Sequence, residues 1–118
     1  MNNRAVGTSY EQKAAIFLEQ NGYQIIEKNF RCRIGEIDLI ARSEQYLCFI
    51  EVKYRSGTSK GYPSEAINQG KIRRITRTAQ YYMLSHKLPQ DIPCRFDAVV
   101  ILEDDISLIQ NAFDGLFY

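Results

Sequence analysis

Residues 36–55 read EIDLIARSEQYLCFIEVKYR, and this stretch decides the fold. In its first part Ile37, Leu39 and Ala41 alternate with residues of the opposite face, which is the period of a β-strand. In its second part, from Tyr46 to Arg55, β-branched and aromatic residues dominate, and these favour strands. A short polar turn separates the two parts. The stretch therefore predicts two neighbouring strands of a meander.

The remaining elements follow from periodicity and from turn residues. We predict, in chain order, a helix over Thr8–Asn21 capped by Thr8 or Ser9, a strand over Tyr23–Phe30, a loop over Ser56–Pro63, a helix over Ser64–Leu84 in two pieces near Gly70, a strand over Arg95–Leu102, and a weaker strand ISLIQ over 106–110. A helical crossover brings the strand after it into the sheet in parallel. The predicted fold class is α/β, with a central mixed β-sheet flanked by helices in the order α-β-β-β-α-β.

Length and composition indicate one domain over residues 1–118, since a chain of 118 residues with 45% hydrophobic content can bury its own core. No apolar run is long enough to span a membrane, and residues 1–13 lack the apolar stretch of a secretory signal. The three cysteines are odd in number and widely spaced, which argues against a disulfide framework. We therefore expect a cytoplasmic protein without membrane contact.

The net charge of +1 argues against a protein that coats nucleic acid by charge alone, but the charges are unevenly distributed. Between Lys53 and Arg77 only Glu65 is acidic, and the basic residues there are Lys53, Arg55, Lys60, Lys71, Arg73, Arg74 and Arg77. From Asp91 onward six acids face a single arginine. The basic segment is either a surface for a polyanion or a solvated helix face.

An acid and a lysine stand two residues apart on one predicted strand. Glu51 and Lys53 project from the same face, with Cα atoms about 6.6 Å apart. Antiparallel pairing brings Asp38 beside Glu51, and Glu11 lies on or beside the buried stripe of the first helix. Carboxylates on rigid strands suit Mg²⁺ and metal-assisted phosphodiester hydrolysis. The alternative is a set of cross-strand ion pairs without catalytic meaning.

At these residues the sequence resembles a known family. The motifs that carry the resemblance are GEIDLIA (35–41), FIEVKYR (49–55), RFDAVV (95–100), NAF (111–113), and the early helix with Gly7 and Glu11. Together they resemble the YraN-like family of uncharacterised bacterial proteins over nearly the whole chain. That family is similar to the PD-(D/E)xK nucleases, with a restriction-endonuclease-like fold, and to archaeal Holliday junction resolvases.

The resemblance implies a role for each matching residue. Glu11 is the helix acid and Asp38 the central metal ligand. Glu51 is the second ligand, Lys53 is the catalytic lysine, and the main-chain carbonyl of Val52 also coordinates the metal. Ile37 stands where the superfamily has proline, a departure that removes no ligand. Gln69 resembles a polar helix residue near the site in some members, although glutamine is also an ordinary surface helix former.

The implied function is a metal-dependent endonuclease that hydrolyses DNA phosphodiester bonds with Mg²⁺ or Mn²⁺, with branched DNA as a candidate substrate. Expected nucleic-acid contacts are Arg55, Gln69, Lys71, Arg74 and Arg77, with Arg73 as a further candidate. A homodimer would enlarge the small binding surface and supply two active sites. The alternative is a nucleic-acid-binding or scaffolding module that keeps the nuclease fold with little or no turnover.

Four residues are left with open interpretations. Arg95 and Asp97 are either a structural ion pair at a strand start or part of a functional site. Tyr54 and Tyr62 either pack or stack on bases, and packing is the commoner role. His86 and the cysteines lack the spacing of a zinc site, so no zinc is expected.

Overall fold

The computed structural model of the chain describes residues 3–55, 68–89 and 91–117. Its elements are, in chain order, α1 Asn3–Gln20, β1 Gln24–Arg31, β2 Glu36–Ser43, β3 Tyr46–Arg55, α2 Gln69–Ser85, β4 Cys94–Leu102 and β5 Asp105–Phe113. The predicted loop 56–63, the predicted start of the second helix at 64–67, and Tyr62 lie outside the described residues.

The strands form one sheet in the order β1-β2-β3-β4-β5. The first three strands are an antiparallel meander, and β3 pairs with β4 in parallel, from Leu47↔Cys94 to Arg55↔Leu102. β5 returns antiparallel along β4 and is longer than the predicted ISLIQ strand. The predicted α/β class and mixed sheet are confirmed, and the architecture is compatible with a restriction-endonuclease-like fold.

Each face of the sheet packs against one helix, which makes two apolar cores. The α1-side core contains Ala14, Ala15 and Leu18 of α1 with Leu39, Ala41, Cys48, Ile50, Val99 and Ile101 of the strands. The α2-side core contains Ile75, Ala79 and Tyr82 of α2 with Ile37, Ile40, Leu47, Phe49 and Phe96. Period-two alternation predicted the two faces of β3 correctly, since successive side chains enter opposite cores.

The first helix begins earlier than predicted. α1 starts at Asn3, so the prediction that Thr8 or Ser9 caps it is wrong, because both residues lie inside the helix. A glycine such as Gly7 inside a helix costs only about 1 kcal/mol, which packing of the apolar stripe can offset.

The second helix begins after Asn68, whose backbone is extended and whose side-chain Oδ1 accepts from the Lys71 N–H at 2.9 Å. α2 therefore starts at Gln69, one residue before Gly70, and continues through that glycine to Ser85 without a break. Among the described residues, no helix combines the length and apolarity required to cross a membrane.

Candidate active site

The candidate site lies where β2 separates from β3. Paired residues run from Ser43↔Tyr46 to Leu39↔Ile50, and the pairing ends there. One residue further, the Asp38 side chain replaces the missing strand partner, because the Val52 N–H donates to Asp38 Oδ2 at 2.7 Å. Beyond this point β3 is still held by β4. The Asp38 carboxylate is thus fixed against a rigid strand at the edge of an opening in the sheet.

The separation of the strands breaks the alternation predicted for β2. Ile37 packs in the α2-side core, whereas Leu39 and Ala41 pack in the α1-side core, so the prediction that all three share a face is wrong for Ile37. Opposite Asp38, Asn29 of β1 has φ 56, in the left-handed region that asparagine tolerates better than most residues. The distortion of both strands turns Asp38 out of the regular pleat.

Acidic side chains gather around Asp38. Burial raises the pKa of Asp38 to about 7, and the charge of Glu51 is the next cause, with smaller contributions from Glu11 and Glu36. The Val52 N–H opposes the shift. Antiparallel register therefore places Asp38 beside Glu51 as predicted. Within the described ranges, the half-buried carboxylate has one hydrogen-bond donor and three acidic neighbours, an arrangement that favours either a proton or a bound cation.

Glu11 reaches this cluster from the other side of the sheet, on α1. Burial raises the pKa of the Glu11 carboxyl, and the charge of Glu36 adds to the increase. The side chains of Asn29 and Asp38 lie close enough to lower it. The structure thus brings the helix acid to Asp38. Sequence reasoning did not identify Asn29, whose left-handed backbone has no unambiguous signal in the sequence.

Two lysines share one oxygen of Glu51. Lys53 Nζ lies 3.3 Å and Lys71 Nζ 2.8 Å from Glu51 Oε1, and only 14% of the Glu51 side-chain surface is exposed. Burial lowers the pKa of Lys53, and the neighbouring Lys71 lowers it further. Lys71 was expected as a phosphate contact on the helix surface. It lies instead inside the candidate site, where its ion pair with Glu51 connects α2 to β3.

The oxygen atoms around Asp38 are candidate ligands for a divalent metal. Among residues 3–55, 68–89 and 91–117, no three or more His, Cys, Asp or Glu side chains are arranged to hold one. Two carboxylates remain, Asp38 and Glu51. Since the N–H and C=O of an extended residue point to the same edge of a strand, the Val52 carbonyl faces Asp38 as its N–H does. Two carboxylates and a carbonyl fit Mg²⁺, which takes few protein ligands and completes its shell with water and phosphate.

The other expected nucleic-acid contacts are surface residues. Arg55, at the end of β3, is exposed, and its Nη1 donates to the Tyr54 carbonyl at 2.8 Å. Gln69 is exposed at the first position of α2. Arg74 and Arg77 are exposed on α2. The Tyr54 ring stacks on Tyr10 at 3.8 Å between centroids, which supports a packing role.

Asp97, in β4 and paired in register with Ile50, lies in a different polar cluster. It is fully buried, and Arg95 donates to both its oxygens at 2.9 and 3.0 Å. The Tyr23 hydroxyl donates to Oδ2 at 2.7 Å, and the Asn111 N–H donates to Oδ1 at 2.8 Å. Burial, then the bond to Asp97, raises the pKa of Tyr23 to about 12. Of the two open interpretations of Arg95 and Asp97, this geometry supports the structural one.

An apolar cavity of about 580 Å³ lies away from the acids. It is lined by Gln80, Met83, Leu84, Leu88, Ile92, Cys94 and Phe117. Cys94 pairs with Leu47 and Ala98 with Glu51, so the cavity is four strand residues, about 13 Å, from the level of Glu51. None of these seven described lining residues carries a carboxylate or a cationic group.

Comparison with known proteins identifies the family. The model of the uncharacterised protein family UPF0102 matches residues 10–101. The chain is 54% identical over 115 residues to a UPF0102 protein of Lachnoclostridium phytofermentans, with 98% of each chain covered. It is 46% identical over 111 residues to one of Nitrosomonas europaea, with 92% of each covered, and 44% identical over 122 residues to one of Acetivibrio thermocellus, with 95% and 93% covered.

The matched range contains the Asp38, Glu51 and Lys53 cluster together with Glu11 and most of the Asp97 network. These matches agree with the resemblance to an uncharacterised YraN-like bacterial family, and they attach no activity to it. The chain belongs to the uncharacterised protein family UPF0102.

Proposed function

We propose that this protein is a metal-dependent nuclease that hydrolyses phosphodiester bonds of DNA with Mg²⁺ or Mn²⁺. The observation that carries the proposal is the site at the opening between β2 and β3, where Asp38 and Glu51 converge beside Lys53. Asp38 has a raised pKa, and among the described residues one group donates to it, so a divalent cation suits its surroundings. A site built only for stability would not gather acids in this way.

The metal, when bound, polarises a phosphoryl oxygen and lowers the pKa of an attacking water. Asp38 and Glu51 hold it, with the Val52 carbonyl as a third oxygen donor. Lys53 Nζ, beside Glu51, donates to an oxygen of the phosphate and balances the charge that develops there during attack. Its lowered pKa also makes this ammonium a better proton donor than an exposed lysine.

Glu11 and Lys71 complete the site from the two helices. Glu11 adds a third carboxylate on the α1 side of Asp38, where it can accept a hydrogen bond from a water molecule. Lys71 neutralises Glu51, and it would be free to contact phosphate if Glu51 held a divalent cation instead. The substrate therefore meets lysines and carboxylates within one opening of the sheet.

The test is cleavage of labelled DNA by the purified protein. Linear duplex, single-stranded and four-way-junction substrates are incubated with Mg²⁺, with Mn²⁺, or with EDTA. We expect cleavage that needs metal and falls at least about 100-fold in Asp38→Asn and in Lys53→Met, because each removes a group that acts on the transition state. Asp91→Asn, an exposed acid outside the site, is the matched control.

Cleavage that survives both site substitutions would contradict the assignment. A second candidate function is a DNA-binding module without turnover. The observation in its favour is that Lys53 and Lys71 already neutralise Glu51. Tight binding of junction DNA in EDTA, with no cleavage by the wild type in either metal, would select this alternative. DNA as partner and a homodimeric state stay predictions.

A further inference from the structure

A groove lined by three arginines lies beside the candidate site. Its walls are Ile34, in the turn between β1 and β2, and Gly70, Arg73, Arg74 and Arg77 of α2, and it encloses about 250 Å³. Arg74 and Arg77 were expected as phosphate contacts, but nothing in the sequence placed them against a turn of the sheet. We call this feature the arginine groove.

The charge of α2 is one-sided. Its 17 residues include four cations and no acid, and its first turn has no acidic residue. The positive end of the helix dipole therefore adds to the arginines at the same end of α2. Within the described part of the chain, the ion pairs are Arg31–Glu36, Lys53–Glu51, Lys71–Glu51 and Arg95–Asp97. None of these involves an arginine of the groove.

One groove arginine is anchored. A Cβ atom placed on Gly35 would lie 3.1 Å from Arg74 Cγ and 3.1 Å from Thr78 Oγ1, so the stem of Arg74 packs directly on the turn. The Thr78 hydroxyl is in turn held by the Arg74 carbonyl at 2.8 Å. Gly35 thus permits the close approach of helix and turn. The groove wall is built by packing and is not merely a solvated helix face.

The groove is also connected to the candidate site. Gly70 adjoins Lys71, which contacts Glu51, and Arg74 is one helical turn, about 4.5 Å along the axis, from Lys71. A polynucleotide strand that crosses the first turns of α2 can therefore contact both Lys71 and Arg74. Guanidinium groups match phosphate oxygens in geometry as well as charge, and the apolar Ile34 offers a surface for a sugar or base.

We propose that the arginine groove binds a backbone phosphate of the same polynucleotide, next to the phosphate attacked at Asp38, Glu51 and Lys53. This inference rests on the proposed function for its substrate class. The groove positions the strand, and it acts before and independently of the metal. The ligand chemistry is a phosphodiester, and free phosphate is the other source to be distinguished.

The test is fluorescence anisotropy of a labelled oligonucleotide in EDTA, where cleavage cannot occur. Arg73→Gln with Arg77→Gln is compared with Arg42→Gln with Lys87→Gln, two exposed cations far from the groove, so both pairs remove the same charge. We expect affinity about tenfold lower for the groove pair, and a salt slope smaller by about 1.4–1.8 for two lost contacts. An equal loss of affinity in the two double variants, or no loss in either, would overturn the proposal that the groove binds a phosphate.

Gly35→Ala probes the geometry without removing charge. The added methyl group displaces Arg74, so we expect severalfold weaker binding while thermal unfolding stays cooperative. Unchanged affinity in this variant would contradict the claim that the packing of Arg74 on the turn at Gly35 shapes the binding groove. Low-millimolar phosphate that displaces the oligonucleotide, where chloride of equal ionic strength does not, would assign the groove to free phosphate and overturn the polynucleotide subsite.

The two proposals fail separately. If the wild type cleaves DNA and the groove pair binds the oligonucleotide with unchanged affinity, the proposed phosphate subsite is refuted and the proposed nuclease activity stands. The opposite result is that no metal supports cleavage, while oligonucleotide affinity falls in the groove pair and is unchanged in Asp38→Asn. The proposed nuclease activity is then refuted, and the proposal that the groove contacts DNA stands.

Discussion

Asp38 and Asp97 are both aspartates on strands of one sheet, and their surroundings are opposite. Asp97 has no exposed surface and accepts four hydrogen bonds, two from Arg95 and one each from Tyr23 and the Asn111 N–H. Asp38 accepts one from the residues that the structure describes, that of the Val52 N–H, and lies among other carboxylates. The carboxylate of Asp97 is thus paired within the chain, whereas the acids around Asp38 repel its charge.

The comparison separates stability from function. A buried carboxylate with a paired arginine ties β4 to the start of β1 and to β5, so the Asp97 network has a structural task. A half-buried carboxylate with acidic neighbours destabilises the folded chain unless a cation or proton arrives. Such unfavourable arrangements are typical of functional sites.

The largest expected effect is that of Asp97→Asn on stability. The substitution leaves Arg95, only 15% exposed at its side chain, without its anion. We expect the free energy of unfolding to fall by about 3–5 kcal/mol, as for other buried pairs that lose one partner. Urea denaturation measures it, with exposed Asp105→Asn as the control. A loss below about 1 kcal/mol would show that the network is not structural.

Asp38→Asn should change stability in the opposite direction. The asparagine can still accept from the Val52 N–H, but the repulsion from Glu51 and Glu11 is removed. Each unit of pKa shift corresponds to about 1.4 kcal/mol, and solvent screening of a half-buried group reduces the gain to about 1–2 kcal/mol at pH 8 without metal. Urea denaturation in EDTA checks it. A destabilised variant would contradict the acid cluster.

The same residue sets a pH dependence. The pKa of Asp38 is about 7 in the folded chain and about 3.9 in an unfolded one. Between these values the folded state binds more protons, so the contribution of Asp38 to stability falls as the pH rises from about 4 to about 7. The advantage of Asp38→Asn over wild type should therefore be absent near pH 4 and complete above pH 7. A constant difference across this range would refute the raised pKa.

The smallest expected effect is that of Lys71→Gln on metal affinity. Lys71 competes with a cation for Glu51 Oε1, so its removal should tighten Mn²⁺ binding about three- to tenfold, or about 0.7–1.4 kcal/mol. The comparison is Lys87→Gln, which removes an exposed charge beyond the end of α2. Weaker Mn²⁺ binding in Lys71→Gln would mean that the lysine supports the metal site instead.

Much of the fold could be predicted from local patterns. Period two placed the strands, the helical crossover implied the parallel pairing of β3 with β4, and antiparallel register placed Asp38 beside Glu51. These features depend on neighbours in sequence or on general rules of chain connection. The polar cluster at the site was predictable for the same reason, since Glu51 and Lys53 share one strand.

Features that depend on distant packing could not be predicted. Tyr23 reaches Asp97 across 74 residues, and Lys71 reaches Glu51 only because α2 packs on that face of the sheet. The departure of β2 from β3 after Leu39 has no signal in the alternation of the sequence. Asn29 has a left-handed backbone that many asparagines do not adopt. The left-handed backbone of Asn29 and the contact of Lys71 with Glu51 are therefore the features of the site that sequence reasoning missed.

The most direct test of the central claim is calorimetric titration with Mn²⁺ at pH 7.5. If Asp38 is the carboxylate that awaits a cation, wild type should bind Mn²⁺ at one site, and Asp38→Asn should bind at least about tenfold more weakly. Equal heat and affinity in wild type and Asp38→Asn would contradict the claim that this acid cluster is a metal site.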